Sequence, residues 1–221
     1  MNHRFIAVLV EGQTEERFVK NNLDPWLFEN FNTNIQPVTY TTKVNPSGKH
    51  YKGGGLNFTK MTDQIERLLR SPQYHFVTTF IDYYALPDEF FGDMDISGKS
   101  DLQKANMAEQ HMSNKLGSAK FIPYIQMFEF EALLFSCPDS LLRIYPERKE
   151  SARNLISEAS SYSTPEEIND GPETHPSARL EKCFPGYGKI LDSQQILKTC
   201  SIGKIREKCP RFDRWIQKLT V

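Results

Sequence analysis

The 221-residue chain carries 27 Lys and Arg against 28 Asp and Glu, with 12% aromatic residues, a balance that excludes both a disordered acidic chain and a protein coated throughout with basic charge. The balance is uneven, because from Pro176 onward 10 basic residues face 4 acidic ones, while the preceding part has 17 against 24. The length admits one large α/β domain or one domain with an appended helical segment, and the polar start before Phe5 is too short and wrongly flanked for a secretory signal, so a cytoplasmic protein without a membrane span is expected.

Phe5 to Val10 is an unbroken apolar run, which predicts a strand buried on both faces, and Glu11-Gly12-Gln13-Thr14-Glu15 turns from it into a helix. Glu11 then stands at the carboxyl end of an inner strand, where open α/β sheets place ligands, and Glu15 leans toward the same crevice from the first helical turn. Neighbouring carboxylates repel and resist desolvation unless a cation compensates them. A divalent metal is one reading; a solvated strand end, with Glu15 favoured by the helix dipole, is the other.

The first helix stops or kinks near Asp24-Pro25, and Ile35 to Val44, rich in Val, Thr and Tyr, predicts the second strand. Asn45 to Gly48 makes a loop. Lys49 to Gly55 is glycine-rich: its amides could hold a phosphate with Lys52 adding charge, or it is a hinge, and it lacks the spacing of a P-loop. Phe58, Met61, Ile65 and Leu68 recur at helical spacing. The third strand, His75 to Ile81, ends on Asp82, so parallel neighbours would set Glu11 and Asp82 on one sheet edge, within reach of one metal ion.

Leu86 to Lys99 reads as a loop whose Asp88, Glu89, Asp93 and Asp95 are solvated or supply a further acid. Ser100-x-x-Gln103 is a capping box that opens a helix with Leu102, Ala105, Met112 and Leu116 inward. Phe121 to Met127 predicts the fourth strand, with Pro123 marking an edge or a start. Glu129 and Glu131 follow among large apolar residues, where an unpaired acid is costly to bury, so they are solvated, bound, or part of a helix start. Extended backbone would put both on one face, whereas a helix would turn them roughly 200° apart.

Cys137, Cys183, Cys200 and Cys209 form no C-x-x-C pair, which points to scattered reduced thiols rather than zinc. Short helices fill the remainder, with Leu180, Ile196, Leu197, Ile205, Phe212, Trp215, Ile216 and Leu219 as a core face. Arg179, Lys182, Lys189, Lys198, Lys204, Arg206, Lys208, Arg211 and Arg214 lie among them, forming a solvated face or a surface for a phosphate backbone.

Val10-Glu11-Gly12-x-x-Glu15 after a buried strand resembles the opening motif of Toprim domains, the metal-dependent catalytic modules of topoisomerases, primases and overcoming-lysogenization-defect nucleases. In those domains the third strand ends Asp-x-Asp, whereas here the stretch is Asp82-Tyr83-Tyr84. Together with Tyr124 to Phe135 and Pro185-Gly186-Tyr187, these motifs resemble, over nearly the whole chain, the bacterial domain of unknown function 4276 family, regarded as Toprim-like and discussed with phage-defence and restriction-type gene clusters. Phe128 stands where that pattern has His.

The resemblance implies a Toprim-like α/β domain over residues 1–137, with a mostly parallel four-stranded sheet and helices on both faces, and a helical C-terminal extension over 138–221 packed on it. It implies Mg²⁺- or Mn²⁺-dependent phosphodiester hydrolysis on nucleic acid, DNA ahead of RNA. Glu11 and Asp82 would hold the metal, and Glu15, Glu129 and Glu131 would complete a second metal site or act as general base. Lys120 and Lys189 are candidates for stabilising developing charge, and Lys52, Lys204 and Arg206 for holding the backbone. The rival is a non-catalytic nucleic-acid-binding or adaptor module, which Tyr84 and Phe128 favour. Because the chain has no ATP-binding loop of its own, an ATPase partner fits either reading.

Overall fold

Ile6 to Val10 of the first strand, β1 (Arg4–Val10), are fully buried, as an apolar run without alternation requires. The computed structural model describes residues 3–41, 43–44, 50–51, 55–169, 171 and 173–221. After β1, helix α1 (Gln13–Phe18) passes through a π-helical segment, Val19–Leu23, into α2 (Asp24–Phe31), which carries Pro25 in its first turn. The expected break at Asp24-Pro25 is thus a change of helical winding. Strand β2 (Thr33–Thr39) stops well before Val44, and β3 (Lys43–Val44) and β4 (His50–Tyr51) form a separate antiparallel pair. Lys52, the candidate phosphate ligand of the glycine-rich stretch, lies outside the described residues.

Helix α3 (Phe58–Leu69) buries Phe58, Met61 and Ile65 at the predicted spacing. Strand β5 (Phe76–Asp82) follows, then a 3-10 turn at Asp88–Phe90 inside the expected loop. Helix α4 (Asp101–Leu116) opens on the predicted capping box, Gln103 N donating to Ser100 Oγ at 3.3 Å and Ser100 N to Gln103 Oε1 at 2.9 Å. Leu102 is not inward but 45% exposed, because the buried stripe runs through Ala105, Ala108 and Met112. Pro123 divides the fourth strand into β6 (Phe121–Ile122) and β7 (Ile125–Gln126), both paired with β5.

The main sheet runs β2-β1-β5-β6, all parallel, with Val10 level with Thr39 on one side and Phe80 on the other. One face packs Ala7, Leu9, Val77 and Ile81 against Phe58, Met61 and Ile65 of α3 and Ala108 and Met112 of α4. On the other, Phe80 meets Phe18 of α1 at 5.8 Å between ring centroids. Helices therefore cover both faces. The chain leaves β1 toward β2 and leaves β5 toward β6, so the connections part company between β1 and β5, and the crevice at their carboxyl ends is the ligand position of such sheets.

By compactness the chain divides into Met1–Ile125 with Leu219–Val221, and Gln126–Lys218. The second unit begins with a 3-10 segment, Phe130–Ser136, and continues through α5 (Pro138–Ile144), α6 (Lys149–Ala159), α7 (Pro176–Cys183), α8 (Lys189–Leu197), α9 (Ile202–Lys208) and most of α10 (Pro210–Thr220). Leu180, Ile196, Ile205, Phe212 and Ile216 are fully buried, as their helical spacing predicts. Two of the four cysteines depart from expectation: Cys137 and Cys200, 63 positions apart, form a disulfide with Cα atoms 5.5 Å apart. Sequence spacing carries no information on such a pairing, which depends on the fold bringing two Cβ vectors together. Cys183 and Cys209 are free thiols.

Candidate functional site

Two groups of carboxylates stand out, one in each unit. In the first, β1 and β5 run in parallel register, so Glu11 follows Val10 at the same edge on which β5 ends with Asp82. The two are joined by a hydrogen bond, the Asp82 backbone N–H donating to the Glu11 carboxylate. Glu11 is an exposed residue, yet its carboxyl lies against the strand ends and is partly desolvated. Burial, and then the charge of Glu15, push its pKa up from 4.5 to about 7, against the Asp82 amide.

Glu15 is buried and works as a cap: its Oε2 accepts the Gly12 N–H at 3.0 Å, closing the turn between β1 and α1. A Cβ on Gly12 would stand 2.9 Å from that oxygen, so a side chain there would make the Glu15 carboxylate shift. Hard oxygen donors with a surplus of negative charge suit Mg²⁺ or Mn²⁺, although the raised Glu11 pKa comes first from burial and only then from the charge of Glu15. Among the described residues, however, no group of three or more His, Cys, Asp or Glu is arranged to hold a metal ion. Tyr84, at the position of the second Asp in the Asp-x-Asp pattern, is 45% exposed.

The second group surrounds Glu129, which precedes the 3-10 segment in extended conformation. Phe128 before it has φ +57, an uncommon backbone state for a bulky residue. Glu129 and Glu131 are both buried, at 4% and 2% exposure. Glu129 Oε2 accepts the Ser177 N–H at 2.9 Å and lies 2.9 Å from His175 Nδ1. Its Oε1 accepts the Ser177 hydroxyl at 3.0 Å and the Lys189 ammonium at 3.4 Å. Burial works against its charge but is outweighed by the Ser177 amide, Lys189, His175 and the Ser177 hydroxyl, so its pKa falls below the ordinary carboxylate value. Lys189 Nζ is also 3.9 Å from Glu131 Oε1. Gly186, at φ +94, leads into the buried Tyr187, whose phenol is pushed far above its usual pKa by burial and by the charge of Glu131.

His175 and Ser177 are the functional-site residues that sequence reasoning missed. The His175-Pro176 pair does carry a helix-start signal, since proline is favoured in the first turn. Nothing in the sequence ties that start to an acid 46 positions away.

A family model described as a domain of unknown function, DUF4276, matches residues 10–220. The chain belongs to the DUF4276 family. No curated protein matches this DUF4276 chain. Among solved structures it is similar to the C-terminal region of the Xanthomonas campestris pv. campestris OLD protein, at 14% identity and TM-score 0.43 with 97% of each chain covered. It is also similar to the C-terminal region of the Burkholderia pseudomallei OLD protein, at 12% identity and TM-score 0.46 over the full length of both.

The basic residues named from the sequence of the DUF4276 chain divide into those committed to internal contacts and those that are not at the strand-end acids. Lys120 precedes β6 and its carbonyl accepts the Val77 N–H at 2.9 Å, which puts it on the amino edge of the sheet, opposite Glu11 and Asp82. Arg206 donates to Asp213 Oδ1 at 2.6 Å, linking α9 to α10. Lys204 is exposed on α9. Of the loop acids, Glu89 is a cap for α3, its carboxylate accepting the Phe58 N–H at 2.5 Å. The second unit also has a cavity of about 310 Å³, lined by Phe135, Leu141, Ile156, Tyr162 and Lys208 among others, and none of the carboxylates above lines it.

Proposed function

We propose that this protein is a metal-dependent, Toprim-like phosphodiesterase acting on nucleic acid, DNA ahead of RNA, in a phage-defence or restriction-type setting. The observation that carries the reading is the pair of acids at the carboxyl ends of adjacent parallel strands, where the strand connections diverge and Glu11 is held protonated to about pH 7 by burial and the charge of Glu15. Glu11 and Asp82 are the residues that would hold Mg²⁺ or Mn²⁺. A bound ion would supply Lewis acidity toward a phosphate oxygen and a bound water of lowered pKa. Glu15 orients the turn that carries Glu11, through its bond to the Gly12 amide.

The alternative is an adaptor or nucleic-acid-binding module that works beside an ATPase and cleaves nothing. Tyr84 in place of an acid and the engagement of Glu15 in capping favour it.

The deciding experiment is a thermal melt with and without Mg²⁺ or Mn²⁺, run beside cleavage of single- and double-stranded DNA and RNA. A ligand that binds only the folded state raises Tm. The rise is expected in the parent and is expected to vanish in Glu11→Gln and Asp82→Asn. Equal shifts in all three proteins would remove the site, and a metal-bound parent without hydrolysis would leave the adaptor reading.

A further inference from the structure

Glu129 and Glu131 are two positions apart and both are buried, and the contacts of Glu129 show what it does there. A carboxylate has about four lone-pair positions, and those of Glu129 are taken by the Ser177 amide, the Ser177 hydroxyl, His175 and Lys189. A group so occupied gives up a hydrogen bond for any proton it accepts, which disqualifies it as the base that activates water. It is instead the fixed end of a chain of contacts.

Ser177 in the first turn of α7 and His175 at its N-cap hold Glu129, and Glu129 holds Lys189 at 3.4 Å, which in turn stands 3.9 Å from Glu131. Lys189 opens α8 and keeps 46% of its side chain exposed, so it is the member of the chain that an outside phosphate can meet. The composition Ser, His, Glu invites comparison with a nucleophilic triad, but the wiring is wrong. Ser177 Oγ and Glu129 both meet the same ring nitrogen, at 3.2 and 2.9 Å, and the Ser177 hydroxyl also reaches the carboxylate directly.

We propose that His175 and Ser177 are positioning residues that act through Glu129 to fix the Lys189 ammonium, so that Lys189 is the cation offered to an outside phosphate and Glu129 is its mount. The arrangement itself stands on the contacts; its effect on turnover rests on the phosphodiesterase reading.

The test treats the full chain with a limiting amine-acylating reagent and follows each lysine by mass spectrometry. Lys204, exposed on α9, is the internal reference. Ser177→Ala and Glu129→Gln are each expected to raise the Lys189 acylation rate about threefold or more relative to Lys204, as expected when a charge-assisted contact is lost. Ser177→Thr, which restores the hydroxyl, is expected to return it to the parental rate. His175→Asn serves as a further variant should Ser177→Ala fail to fold, which circular dichroism reports. An unchanged Lys189 rate in the folded variants overturns the proposal. In parallel, Ser177→Ala is expected to lower kcat with KM unchanged; a parent that hydrolyses nothing removes the phosphodiesterase reading while the lysine rates still decide the arrangement.

Discussion

Glu11 keeps its proton to about pH 7 because burial and the charge of Glu15 outweigh the amide that Asp82 donates. The unfolded chain gives up that proton near the ordinary 4.5, so the folded state binds the extra proton between the two values and loses stability as pH rises from about 4.5 to about 7. Glu11→Gln removes the penalty. Because Glu11 is an exposed residue, solvent screening holds the gain to about 1 kcal/mol, which predicts a Tm about 2–4 °C above the parent at pH 8 and no difference at pH 4. Glu129 works in the other direction: its pKa is lowered, so its contribution is complete above about 4.5 and is lost as pH falls below that. The urea midpoint of the parent is therefore expected to drop between pH 5 and pH 3, and Glu129→Gln to flatten that drop. A parallel decline in parent and variant would mean that Glu129 takes no part in acid unfolding.

Among the described residues, three helices begin on acids sent from distant segments. Glu89 serves α3, Glu129 serves α7, and Glu166 serves α10 by accepting the Arg211 and Phe212 amides at 2.8 and 3.0 Å. Losing such a cap costs about 1 kcal/mol, so Glu166→Ala is expected to lower Tm by about 2–4 °C, while Glu166→Gln, which keeps one acceptor oxygen, should lose less. If alanine and glutamine prove equal to the parent, the α10 cap carries no stability. These caps also show how far the elements were legible in the sequence. Local signals were enough for β1, α3 and the Ser100 capping box, because apolar runs, helical spacing and near-neighbour hydrogen bonds are all written within a few residues. The same holds for Glu11 and Asp82, each at the end of an apolar run. Glu129 was visible as an acid in apolar company, but its partners were not, since pairing across dozens of positions leaves no periodicity. For the same reason Cys137 and Cys200 read as separate thiols until the fold joined them.

Across the whole chain the excess of basic residues after Pro176 is partly spent internally: Arg179 pairs with Glu158, Lys189 with Glu129 and Glu131, and Arg206 with Asp213. Lys182, Lys198 and Lys204 remain exposed. Should the protein hold nucleic acid, charge reversal of these three is expected to flatten the fall of affinity with salt, each phosphate contact on duplex contributing about 0.9 to the slope. Arg206→Glu should lower Tm instead, by breaking the tie to Asp213. A salt slope unchanged by the triple reversal would return these lysines to the status of solvent-facing charge. At the far end of the same segment, Leu219–Val221 belong to the first unit, where the Arg4 guanidinium donates to the Val221 carbonyl and, at 3.0 Å, to that of Thr220. The two acceptors of Arg4 lie 217 and 216 positions further along the chain and are translated that much later. Strand β1 pairs with β2 and β5 early, while the Arg4 contacts form only after the helices between are synthesised. A stop codon ahead of Leu219 would leave the Arg4 guanidinium of β1 without both of these acceptors.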